Sequence, residues 1–172
     1  MVYKIYFIVF LSFFSIKPTK ERAINSTKQE VVMRLAENNT VSKTEQKFSL
    51  IEENSTTVPS LESFEVAFEG YENLKSQNKL DNSILTIIDF SLSSNQKRLW
   101  VIDMDSNEVL FHTLVAHGMN SGQEFATNFS NKSESYKSSL GFYLTAEIYT
   151  GKHGSSLKLD GIEKGINDNA RE

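Results

Sequence analysis

The chain has 172 residues, 18 Lys and Arg against 22 Asp and Glu, a formal net charge of −4, and no cysteine. Mixed charge of that overall sign offers no basic patch, which argues against a nucleic-acid partner. Without cysteine there is no disulfide, thiolate metal site or cysteine nucleophile, and the length allows one modest domain plus appendages.

Met1-Val2-Tyr3-Lys4 gives a short, positively charged start, followed by the apolar run Ile5 to Ile16, IYFIVFLSFFSI. At about 12 residues this run matches a signal-peptide core and falls short of the ~20 that span a bilayer. Lys17-Pro18 then ends any helix. Residues 1–18 are therefore expected to be a signal peptide and the protein to be exported to the periplasm or cell envelope. No small-x-small cleavage pattern follows, so an uncleaved membrane anchor is the alternative. A buried core helix is the plainer reading of any apolar run, but beside a polar tract this one has nothing to pack against.

Residues 19–58 are rich in Asn, Ser, Thr, Glu and Lys. A stretch such as ENNTVSKTEQ buries too little apolar surface to offset its ordering entropy, so a polar flexible linker is expected, with a fraying helix near Gln29–Leu35. The domain proper is expected over residues 59–172. Leu61, Phe64, Ala67, Phe68, Tyr71 and Leu74 recur at three- and four-residue spacing and predict a helix over 60–74, entered through Pro59 and capped by Ser60. Gly70 within it suggests close packing.

After Leu80-Asp81-Asn82 the pattern changes to short apolar runs. ILTIIDF (84–90), RLWVIDM (98–104) and EVLFHTLVA (108–116) read as strands, the latter two joined by the turn residues Asp105-Ser106-Asn107. Residues 139–150 and 156–159 read as two more. The fold class is mainly β, within α+β: one N-terminal amphipathic helix on a largely antiparallel sheet.

Histidine is the usual acid, base or metal ligand near neutral pH. His112 lies within a strand, His117 ends it in Val-Ala-His-Gly, and His153 sits in Gly-Lys-His-Gly. The plain reading is that each holds a turn by hydrogen bonding to loop carbonyls. A three-histidine zinc site is disfavoured, because His112 and His117 are five apart and fall on opposite faces of a straight strand. Ser94…Lys97 and Ser155…Lys158 satisfy Ser-x-x-Lys, but that pairing needs a helix, and on a strand the two side chains diverge. The loop SNKSESYKSS (130–139) could bind a polar ligand, although a solvated loop is the simpler identity. Asp160, Glu163, Asp168 and Glu172 make an acidic tail without EF-hand spacing, read as surface charge. No phosphate cradle, metal or cofactor site is expected.

The motifs acquire meaning as a series: VAHGMNSG (115–122), ATNFSN (126–131), SSLGFY (138–143), GKHGSSL (151–157) and LDGIEKGIND (159–168), preceded by LTIIDF and RLWVID. From about Phe64 onward this series resembles the murein L,D-transpeptidase catalytic-domain family, in the branch common in Gram-negative bacteria. The resemblance implies a mainly β domain that acts on peptidoglycan stem peptides by cysteine acyl transfer. In the family a second His-Gly segment and a Ser-x-Gly-Cys-Pro segment follow, and neither occurs in this sequence. The expectation is thus an incomplete catalytic domain, the N-terminal part of an exported transpeptidase, inactive as written. A non-catalytic envelope module that binds peptidoglycan or a partner protein is the alternative. No catalytic residue is carried over, and Tyr143, His153 and Gly154 are the candidates for shaping a substrate groove.

Overall fold

Helix α1 (Lys43–Asn54) occupies the end of the stretch expected to be a polar linker. Ser42 and Glu45 start it: the Ser42 hydroxyl accepts from the Glu45 amide at 3.0 Å, and the Glu45 carboxylate accepts from the Ser42 amide at 2.8 Å. This reciprocal box satisfies two amides that a helix start leaves unpaired. Those bonds hold the Glu45 carboxyl below its ordinary range. Only Phe48 and Ile51 of α1 are buried, yet Ile51 is fully so. The computed structural model describes residues 41–151 and 154–169. The apolar run 5–16, the helix expected near 29–35 and His153 lie outside the described residues.

Helix α2 (Leu61–Ser76) follows the expected stripe, with Ser60 accepting from the Ser63 amide at 3.2 Å. Its inner face stacks rings in series. Phe48–Phe64, Phe64–Phe68 and Phe68–Tyr71 centroids are 5.2, 5.4 and 6.3 Å apart. Under this row lies a three-stranded antiparallel sheet in the order β1 (Ile84–Ile88), β2 (Leu99–Asp103), β3 (Glu108–Thr113). Alternation decides its inner face, where Ile87, Trp100 and Ile102 are buried with Met104 just beyond. Full burial of such side chains contributes about 1.5–3 kcal/mol each, which makes this layer the main stabilising element.

The turn between β2 and β3 has the expected chemistry. The Asp103 carboxylate accepts from the amides of Asp105 and Ser106 at 2.9 and 3.3 Å, and Asn107 adopts φ 60°, a conformation asparagine tolerates. The register shifts between Val101 and Ile102, leaving Leu110 without a cross-strand partner as a bulge. Helix α1 is tied to this hairpin at two points. The Lys47 ammonium donates to the Met104 carbonyl at 2.5 Å and to Asn107 Oδ1, and the Ser55 hydroxyl accepts from the Val109 amide at 2.9 Å.

The expected single sheet is in fact two. Residues 114–142 form turns and extended loop, and then β4 (Tyr143–Gly151) and β5 (Gly154–Gly161) pair antiparallel as a separate two-stranded sheet. Strand β3 stops at Thr113 because the next carbonyls serve other partners, the Val115 carbonyl among them. The base of the second hairpin packs on α2: a Cβ at Gly70 would stand 2.2 Å from the Phe142 ring, so the glycine does mark a close approach. The acidic tail is also more than surface charge. The Glu163 carboxylate accepts from the Phe142 amide at 2.7 Å, and fully buried Asn167 donates to the Phe142 carbonyl at 2.8 Å. Asp168 accepts from Asn131 Nδ2 and the Gly165 amide, both at 2.8 Å, which lowers its carboxyl from the ordinary value. Among the described residues no helix is long and apolar enough to cross a membrane.

Candidate functional site

Arg98 shares strand parity with Trp100 and Ile102, and so points inward with no exposed surface. All its contacts to hydrogen-bond acceptors lie in one corner. Nη1 donates to the Leu92 carbonyl at 2.8 Å, Nε and Nη2 to the Val115 carbonyl at 3.3 and 3.1 Å, and Nη2 to His117 Nδ1 at 2.7 Å. An arginine has no acceptor, so Nδ1 of His117 must be the unprotonated nitrogen of that bond. Nε2 then carries the hydrogen and faces the Gly122 carbonyl at 3.2 Å. The Phe90 ring lies over the guanidinium, 5.1 Å from its carbon. Burial disfavours the charge on Arg98, and the nearby Asp89 carboxylate opposes that effect. Burial also works against the Asp89 charge, but bonds from Ser91 and Ser63, helped by Arg98, outweigh it and hold this carboxyl low.

This corner fixes one wall of a cleft of 860 Å³, since Phe90, Val115 and Ala116 line it together with Ile88. The opposite side is Tyr143, Tyr149, Leu157 and Leu159 of the second hairpin, and the rim is the loop from Ser130 to Ser139. The volume lies within the range of ligand-binding clefts, ~300–1,000 Å³. Backbone amides bonded to two serine hydroxyls and a carbonyl stitch the rim to the His117 turn. The Gly118 amide donates to the Ser138 hydroxyl at 3.0 Å, the Ser138 amide to buried Ser121 Oγ at 2.8 Å, and the Asn120 amide to the Tyr136 carbonyl at 2.9 Å. A Cβ at Gly118 would stand 2.6 Å from that Tyr136 carbonyl. Glu134 and Tyr136 both adopt φ 54°, which non-glycine residues enter at a cost. Thus the serine-rich segment is an ordered rim rather than a free loop.

The three residues expected to shape a groove separate. Tyr143 lines the cleft, with its hydroxyl bonded to the Ser139 hydroxyl at 2.5 Å and donating to the Ser139 carbonyl at 3.0 Å. Gly154 begins β5 at the far end of the hairpin, with φ 103° and nothing within 4 Å of a built Cβ. It pairs with Gly151 at the end of the hairpin away from Tyr143, and it is not among the described residues that line the cleft. His153 lies outside the described residues. His112 stacks on Trp100, 4.8 Å between centroids, with Nε2 3.1 Å from the Lys97 carbonyl, while His117 is held by Arg98. Both follow the turn-holding reading, and among the described residues no three metal-ligating side chains converge. Lys158 pairs with Glu147 at 2.7 Å.

Two helices over an antiparallel sheet, a stitched loop and a second hairpin around an open cleft define a mainly β, α+β domain of the L,D-transpeptidase-like kind. The chain belongs to the L,D-transpeptidase catalytic domain family, whose model matches residues 55–172. That family acts on peptidoglycan. No curated protein and no solved structure matches the chain.

Proposed function

We propose that this chain supplies the N-terminal part of the catalytic domain of an exported murein L,D-transpeptidase, and that it has no turnover of its own. The observation that carries the reading is the family match over residues 55–172 in a sequence without cysteine. In cysteine acyl transfer a thiolate attacks the peptide of a stem, the terminal D-amino acid leaves, and the acyl group passes to an amine of another stem. Backbone amides stabilise the tetrahedral oxyanion between those steps. His117, beside the cleft wall, is held between Arg98 and the Gly122 carbonyl, and the sequence has no cysteine to serve as the thiol. The basic start and apolar run at 4–16 support export, with a signal peptide or an anchor.

The test is incubation of the purified chain with tetrapeptide stems and measurement of released D-amino acid. No release above the uncatalysed rate is expected, and turnover would refute the mechanism. The second reading, an envelope module that binds peptidoglycan without chemistry, is favoured by the ordered cleft. It predicts cooperative unfolding together with co-sedimentation on purified sacculi.

A further inference from the structure

The chain is acidic overall, with a net charge of −4, yet the cleft rim is not. Among the described residues that line it, Lys132, Lys137 and Lys158 stand against one carboxylate, that of Glu134. Lys158 is already paired with Glu147. Among the described residues neither Lys132 nor Lys137 pairs with a carboxylate, and both are exposed. Their loop is held by the Ser138–Ser121, Gly118–Ser138 and Asn120–Tyr136 bonds, so the two ammonium groups sit on an ordered support rather than on a free tether. Below them the walls are apolar, from Ile88 and Phe90 on one side to Leu157 and Leu159 on the other.

We propose that Lys132 and Lys137 are specificity-determining contacts that take a carboxylate of an extended peptide lying in this cleft. The occupant is a peptide ending in a free carboxylate, with apolar side chains along the Ile88–Leu159 walls. This rests on the reading of the chain as a peptidoglycan-acting domain, and names which part of a stem the cleft selects. Charge complementarity chooses the occupant: two cations without a carboxylate partner among the described residues, beside the Ile88–Leu159 walls, disfavour a cationic or neutral end and steer an anionic one. The Tyr143 hydroxyl, engaged by Ser139, contributes ring surface and no free donor.

The test is calorimetric titration of the full chain with a soluble tetrapeptide stem, once with a free C-terminal carboxylate and once amidated. Two exposed ion pairs lost together should weaken binding roughly tenfold, so K132Q/K137Q is expected to bind the free acid about that much less tightly than wild type. Amidation should weaken wild-type binding similarly and abolish the difference between wild type and variant. K79Q, at an exposed lysine beyond α2, should leave both affinities unchanged. Equal binding of the free acid by wild type and K132Q/K137Q would overturn the inference. Co-sedimentation with sacculi separates the two levels. Equal pelleting of wild type and the double variant, with unchanged titrations, removes the lysine contacts and leaves the peptidoglycan reading standing. No pelleting and no titration signal removes both.

Discussion

Replacing Arg98 with methionine is the sharpest probe of how the cleft wall is built. The guanidinium is fully buried and donates to two carbonyls and one imidazole nitrogen. Methionine fills similar length but donates nothing, so the Leu92 and Val115 carbonyls and His117 Nδ1 lose their donor together. A hydrogen bond to a charged group contributes about 1.5–3 kcal/mol, and loss of a buried partner costs about 3–5 kcal/mol in total once relaxation is included. Removing a buried charge recovers some desolvation energy, which is why the lower end, about 3 kcal/mol, is expected. Against a typical stability of about 5–15 kcal/mol this is a large fraction. His117→Leu removes one of these acceptors and should cost about 1–2 kcal/mol, since Nη2 keeps the Val115 carbonyl. The double variant should cost less than the sum of the two by about 1 kcal/mol, because the bond between them is counted twice. Urea unfolding followed through Trp100, the sole tryptophan, reads all three. An Arg98→Met variant within about 1 kcal/mol of wild type would refute the reasoning.

Three further outcomes follow from the same geometry. Ile51→Ala should destabilise the chain by about 2–5 kcal/mol in the same urea assay, because Ile51 has no exposed surface; an unchanged midpoint would detach α1 from the core. Gly161→Ala should lower the thermal midpoint, since the new Cβ would stand 1.8 Å from the Asn167 carbonyl oxygen, and a midpoint equal to wild type would contradict that contact. Asp89 has a folded pKa below its ordinary 3.8, so its contribution is present above that value and lost as pH falls through the lower folded one. Asp89→Asn should therefore be less stable than wild type at pH 7, with the gap closing as pH falls through the lowered folded value; a gap independent of pH would assign the loss to shape rather than charge.

Much of the fold is legible in the sequence because its signals are periodic. The stripe from Leu61 to Leu74 and the two-residue alternation of 84–104 both describe faces, and burial follows faces. Helix α1 escaped because only Phe48 and Ile51 of its twelve residues are buried, too few to raise the apolar content of a polar tract. Its signal was at the cap instead: Ser42-Lys43-Thr44-Glu45 spells the Ser-x-x-Glu box. The split into two sheets was hidden, because no local pattern says that residues 114–142 satisfy their backbone through Arg98, Ser121 and Ser138 rather than through a ladder. Arg98 itself was readable by parity, as a charge in line with Trp100 and Ile102. Its partners lie 6 to 19 residues away, and no spacing rule names them. Tyr143 and Gly154 stand at opposite ends of their hairpin, since a strand of nine residues separates neighbours in a motif series by its whole length.

The two ties of α1 to the β2–β3 turn also set an order of events in time. Lys47 and Met104 are 57 residues apart, Ser55 and Val109 54 apart, while the turn itself closes between Asp103 and Glu108. Closing the longer loops costs more chain entropy before any contact rewards it, so the hairpin has the advantage in forming first, with α1 docking on a surface already made. Mutations in α1 should then speed unfolding and leave the folding rate nearly untouched, whereas changes at Asp103 or Asn107 should slow folding. A polar helix held by two long-range clasps is the latch of this domain, closed last and opened first.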